Sequence, residues 1–135
     1  MDRYDDTLTL GVEAMDTEHR HLAALFEAFS AAVKHGSAPE QIQQIVQKAL
    51  VATNEHFAHE EELMVQNAYP AIEEEKLNHR NLRLKLTTLV GTTVAMPARD
   101  QVMLENLADM QRMLFEHITG PDRDLAIYLN AHGVH

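Results

Sequence analysis

Six histidines and carboxylates stand where helical periodicity calls for apolar side chains: His19, His56, Glu60, Glu75, His79 and His117. Each continues a run of core-type residues recurring every three or four positions, the spacing that lines one face of a helix. The first stripe carries His19, Leu22, Phe26, Phe29 and Val33, after a possible N-cap at Asp16-Thr17. The second carries Ile42, Ile45, Val46, Ala49, Thr53, His56, Glu60 and Met64. The third carries Ile72, Glu75, His79, Leu82, Leu86 and Leu89, and the fourth Met103, Leu107, Met110, Leu114 and His117. His35-Gly36-Ser37-Ala38-Pro39 and Asn67-Ala68-Tyr69-Pro70 separate the first three, because proline lacks an N–H and disfavours helix in the residue before it. The third stripe fades at Gly91-Thr92-Thr93, Pro97 marks the next start, and Gly120-Pro121 ends the fourth. Asp122 to Asn130 then reads as a short amphipathic helix through Leu125, Ile127, Tyr128 and Leu129.

Four helices of this length with short connections predict an all-α fold, an up-down-up-down four-helix bundle with an N-terminal arm and a short C-terminal helix. The 135 residues suit one domain, 1–135, with one core. Eleven Lys and Arg against 21 Asp and Glu leave a net charge of −10, which argues against nucleic acid and anionic membrane surfaces as partners. No apolar run approaches the roughly 20 residues of a membrane span, and the acidic start MDRYDDTLTLG is not a secretory signal. A cytoplasmic monomer is the expectation. The absence of cysteine excludes disulfides, thiolate metal sites and cysteine nucleophiles. There is no nucleophile constellation, no Gly-rich phosphate loop and nothing that identifies an organic substrate.

Buried imidazoles and carboxylates without partners cost on the order of several kcal/mol each. Six of them on core faces must therefore satisfy one another, and a bound metal pair would let them. Two such ions need roughly eight to twelve ligand positions filled by imidazole, carboxylate and water or a bridging oxygen. Four histidines with Glu60 and Asp122 fit that demand, with Glu75 as a possible seventh ligand. Each residue also has a plainer reading. His56 and Glu60 at i, i+4 make an ordinary helix ion pair, and His19 alone suits a core histidine bonded to a carbonyl. His117 could complement a helix dipole, and Asp122 could cap the tail helix. Together these readings need four unrelated coincidences on four helices, so the metal reading is preferred. His21, His35, His59, His132 and His135 fall off the stripes or in loops and read as solvated, as do Glu61, Glu62, Glu73 and Glu74. The seven methionines read as core filler.

The order of these residues resembles the hemerythrin family in its bacterial single-domain form. The pieces are Asp16-Thr17-Glu18-His19, then His56-Phe57-x-x-Glu60-Glu61-x-x-Met64, Tyr69-Pro70, His79, and His117-Ile118-x-x-x-Asp122. The resemblance covers roughly residues 8–130, and the combined pattern is more specific than any single piece. The resemblance implies a non-haem di-iron centre that binds O2 reversibly, with two Fe ions and a bridging oxygen species. By this likeness Glu60 and Asp122 bridge the irons, His19 and His56 hold one and leave it open for O2, and His79 and His117 hold the other. Glu75 stands where the family usually has a histidine, and the tryptophan usual in the N-terminal arm is missing. Glu75 is expected to give an oxygen ligand to the metal of His79 and His117; the alternatives are that it swings out to a lysine or water, or shifts metal choice toward manganese. An O2 carrier, store or sensor is the preferred function. The alternatives are a carboxylate-enriched di-metal centre oxidised by O2 or peroxide, with peroxidase-like, ferroxidase-like or scavenging activity, and a helical module whose metal is structural.

Overall fold

The computed structural model describes residues 8–95 and 100–135, with backbone alone at 92–95 and 100. Four helices follow one another: α1 (Glu13–Lys34), α2 (Pro39–Gln66), α3 (Ile72–Ala95) and α4 (Asp100–His117). Each packs on the next, and α4 closes against α1 to complete the expected up-down-up-down bundle. A π-helical turn, Ile118–Asp122, joins α4 directly to α5 (Arg123–Ala131). No helix among the described residues is long and apolar enough to cross a membrane.

The sequence stripes become two apolar clusters. Phe26, Phe29, Val46, Phe57, Leu86, Met103, Leu107 and Met110 fill the larger. Val12, Met15, Met64, Tyr69, Leu125 and Leu129 fill the smaller. Between them on every helix lies the polar layer: His19 between Met15 and Phe26, Glu60 between Phe57 and Met64, His79 between Tyr69 and Leu82. Alternating hydrophobic and ligand-type residues along each stripe thus fix the layer at one height in the bundle.

Several element ends differ from expectation. α1 begins at Glu13, so Asp16 lies inside it rather than at a cap. Its carboxylate instead accepts from the N–H groups of Leu10 and Gly11 at 2.9 and 3.1 Å, tying the arm to the first turn. Gly11 has φ +90°, a conformation that L side chains rarely adopt, and Asn130 of α5 donates to its carbonyl at 3.1 Å. α3 does not fade at Gly91-Thr92-Thr93 but runs to Ala95. Pro97 and the start MDRYDDT lie outside the described residues.

Gly120-Pro121 does not end the fourth helix either. Pro121 cannot donate to a carbonyl one turn back and its ring would clash there, so the chain widens to a π-turn and continues. On α5 the buried face is Leu125, Ala126 and Leu129, and Ile127 is 62% exposed. Ile127 lies about 200° round from Leu125 at 100° per residue, which carries it off the face that the sequence reading gave it.

Candidate metal centre

α1 contributes His19, α2 His56 and Glu60, α3 His79 and Glu75, α4 His117, and the π-turn Asp122; all seven are buried. The fourth helix reaches its second residue through the wider turn. In an α-helix Asp122 would lie about 140° away from His117. The π-turn instead brings the two together, with His117 Nε2 3.0 Å from Asp122 Oδ1.

Six of the seven form two groups whose ligand atoms lie within 4.8 Å of one another: His19, His56, Glu60 and Asp122, and Glu60, His79, His117 and Asp122. Glu60 and Asp122 belong to both, and each divides its oxygens between them. Glu60 Oε2 lies 3.0 Å from His56 Nε2 and 3.4 Å from His19 Nε2, while Oε1 lies 3.1 Å from His79 Nε2. Asp122 Oδ2 lies 3.1 Å from His19 Nε2, and Oδ1 faces His117. Glu75 falls outside both groups but stays inside the protein at 2% exposure, with Oε1 3.4 Å from His117 Nε2. It does not swing out to a lysine or to water.

Two carboxylates outside the expected ligand set hold this layer in place: Glu61, which the sequence reading left on the surface, and Glu18, to which it gave no role. Glu18 accepts from His56 Nδ1 at 2.9 Å and, through its other oxygen, from the exposed His59. Glu61 accepts from His79 Nδ1 at 2.9 Å. An Nδ1–H given to a carboxylate leaves Nε2 with a lone pair aimed at the interior, the tautomer a metal requires. Phe57 stacks on His79, 4.1 Å between centroids and 6° between planes, and meets the edge of His117. Glu18 and Glu61 are sequence neighbours of His19 and Glu60. Their one available signal is that a residue next to a core position on a helix points about 100° round, toward the adjoining helix.

The electrostatics follow from crowding these groups out of water. Burial, then the Asp122 and Glu60 carboxylates, push Glu75 up to about 9. Burial lowers His56, but the Glu60 and Glu18 carboxylates outweigh it and raise it to about 10. Burial raises Glu60, yet the imidazoles of His56, His19 and His79 hold it well below the usual carboxylate range. Without a cation, protons on the imidazoles balance the carboxylates.

The donors fit a metal pair. Both oxygens of Glu60, Glu75 and Asp122, and the Nε2 atoms of His79 and His117, are buried and have no hydrogen-bond partner. They approach one another at ion-pair distances without hydrogen-bond directionality, as lone pairs do when they address common points between them. Left unmatched, such atoms cost roughly 1–3 kcal/mol each, so in the folded protein they must be matched by protons or by a cation. Imidazole and carboxylate in this mixture suit iron or manganese better than a soft ion.

A family profile described as the hemerythrin HHE cation binding domain matches residues 10–128. The chain is also 25% identical over 129 residues to a bacteriohemerythrin of Stenotrophomonas maltophilia (strain R551-3), an alignment covering 96% of this chain and 82% of that protein.

Proposed function

The chain belongs to the hemerythrin family, and on that footing we propose that it is a non-haem di-iron protein that binds O2 as a carrier, store or sensor. The observation that carries this reading is the pair of ligand groups joined through Glu60 and Asp122. In this reading Glu60 and Asp122 would be shared by two irons, and His19 and His56 would hold the one that takes O2. His79 and His117 would hold the other, and Glu75 would supply an oxygen ligand beside His117. A ferrous pair held there would supply the electrons that reversible O2 binding needs. The chain's own part is to fix the imidazoles through Glu18 and Glu61, to seat His79 on Phe57, and to keep water out with the apolar clusters above and below.

Glu75 favours a second reading. A carboxylate in place of an imidazole adds negative charge and stabilises the ferric state, which tilts the centre toward irreversible oxidation by O2 or peroxide and toward scavenging, peroxidase-like or ferroxidase-like activity. An optical spectrum of anaerobically loaded ferrous protein separates the two, recorded before O2, after O2 and after an argon purge. Visible charge-transfer bands that come with O2 and leave with argon support reversible binding. A ferric spectrum that stays moves the assignment to the second reading. Glu75→His is expected to lengthen the life of the O2 adduct, and an unchanged autoxidation rate would remove Glu75 from the ligand set.

A further inference from the structure

A cleft of about 170 Å³ opens between the start of α3 and the π-turn and reaches Glu75. Its walls include Tyr69, Glu74, Glu75, Asn78, Pro121 and Asp124. Three of these six are carboxylates and none is basic. Glu74 and Asp124 are exposed, and neither forms an ion pair among the described residues. Glu75 is 2% exposed, and neither of its oxygens has a hydrogen-bond partner. It therefore joins the cleft on one side to His117, 3.4 Å away, on the other. The field in the cleft registers on Tyr69, whose hydroxyl is pushed up by burial and then by the charges of Glu75, Asp124, Glu74 and Asp122.

Two other clefts beside the centre have a different character. The cleft between α1 and α2 that touches Glu60 is walled partly by Ala14, Met15 and Leu63. Its Glu18 carboxylate is already taken by His56 and His59, and Glu62 accepts from Gln66. The cleft beside His117 has one carboxylate, Glu116, among Leu82, Met113 and two asparagines.

We propose that the cleft walled by Tyr69, Glu74, Asn78 and Asp124 is the port through which a divalent cation passes from solvent to the buried centre, with Glu75 as the ligand that receives it. The proposal rests on the reading of the centre as a metal site. A hydrated cation must exchange waters for protein oxygens stepwise, and the cleft offers them in sequence: Glu74 and Asp124 at the mouth, then Glu75, then the shared carboxylates. Carboxylates at a narrow mouth concentrate cations and speed their capture.

The test is stopped-flow mixing of the metal-free protein with Co2+, an O2-inert stand-in whose visible bands report arrival at nitrogen and oxygen ligands. Wild type is compared with Glu74→Gln/Asp124→Asn and with Glu55→Gln/Glu62→Gln, which removes the same charge elsewhere. At about 10 mM salt the port variant is expected to load roughly threefold to tenfold more slowly. The difference should fade near 0.5 M salt as screening shortens the reach of the charges. The plateau should be unchanged, because neither exposed residue belongs to the ligand groups. A port variant that loads at the wild-type rate, or a control pair that slows loading equally, overturns the port alone. Failure of wild type to reach a saturable Co2+ plateau overturns the metal centre and the port with it.

Discussion

Glu61 shows how much of the centre is decided one residue away from the proposed metal ligands. Its 2.9 Å contact with His79 Nδ1 sets both the tautomer and the ring plane. Glu61→Ala is expected to weaken metal affinity about 10- to 100-fold while leaving the helical circular dichroism intact; affinity equal to wild type in a metal titration would remove that role. The inward carboxylate of Glu75 makes its own prediction for the metal-free protein. Glu75, at about 9, and His56, at about 10, are both raised in the fold. Each adds stability that is complete below its ordinary value, 4.5 or 6.5, and is lost as pH rises through the folded value. Each steepens the alkaline fall by up to about 1.4 kcal/mol per pH unit while its folded and unfolded protonation differ. Glu60 and Asp122 are lowered, so their contribution is present above their ordinary values and is lost as pH falls. Denaturant midpoints of the metal-free protein should therefore drop from pH 7 to 9, and Glu75→Gln should flatten part of that drop. Identical slopes would mean that Glu75 is not held protonated.

At the scale of elements the π-turn matters most. It exists because Pro121 cannot take part in an α-helical turn, and it rephases the chain so that Asp122 meets His117. Pro121→Ala restores the missing donor and permits an α-helical turn. Its expected result is a loss of metal affinity of at least tenfold, with thermal stability of the metal-free protein unchanged or raised; full affinity would show that the wide turn survives without the proline. This turn also marks where the sequence stops being readable. His19, His56, Glu60, Glu75, His79 and His117 are legible because a regular helix converts spacing into a face. Asp122 is legible as a donor but not as a member of His117's face, since five residues beyond His117 is the wrong phase for an α-helix. The roles of Glu18 and Glu61 are not legible in the sequence, because the rings they hold lie on other helices, 38 and 18 residues away. The start of α1 is not legible either, because Asp16 bonds backward to the arm instead of capping forward.

Across the whole molecule, the bundle has two apolar clusters separated by a layer of acids and imidazoles that all four helices cross. Metal removal leaves the clusters packed and makes the layer between them the costly part of the fold. Metal loading should therefore raise the melting temperature. It should also raise hydrogen-exchange protection most near His19, Glu60 and His79, and least within Phe26, Val46 and Leu86; a uniform gain along the helices would contradict this division. Helices ordinarily loosen from their tips inward. With a strong cluster on either side of a weak waist, this bundle is built to loosen from the middle outward. A protease or chaperone surveying the metal-free chain would meet its first opening at the waist, so cellular lifetime becomes a readout of whether the cations have arrived.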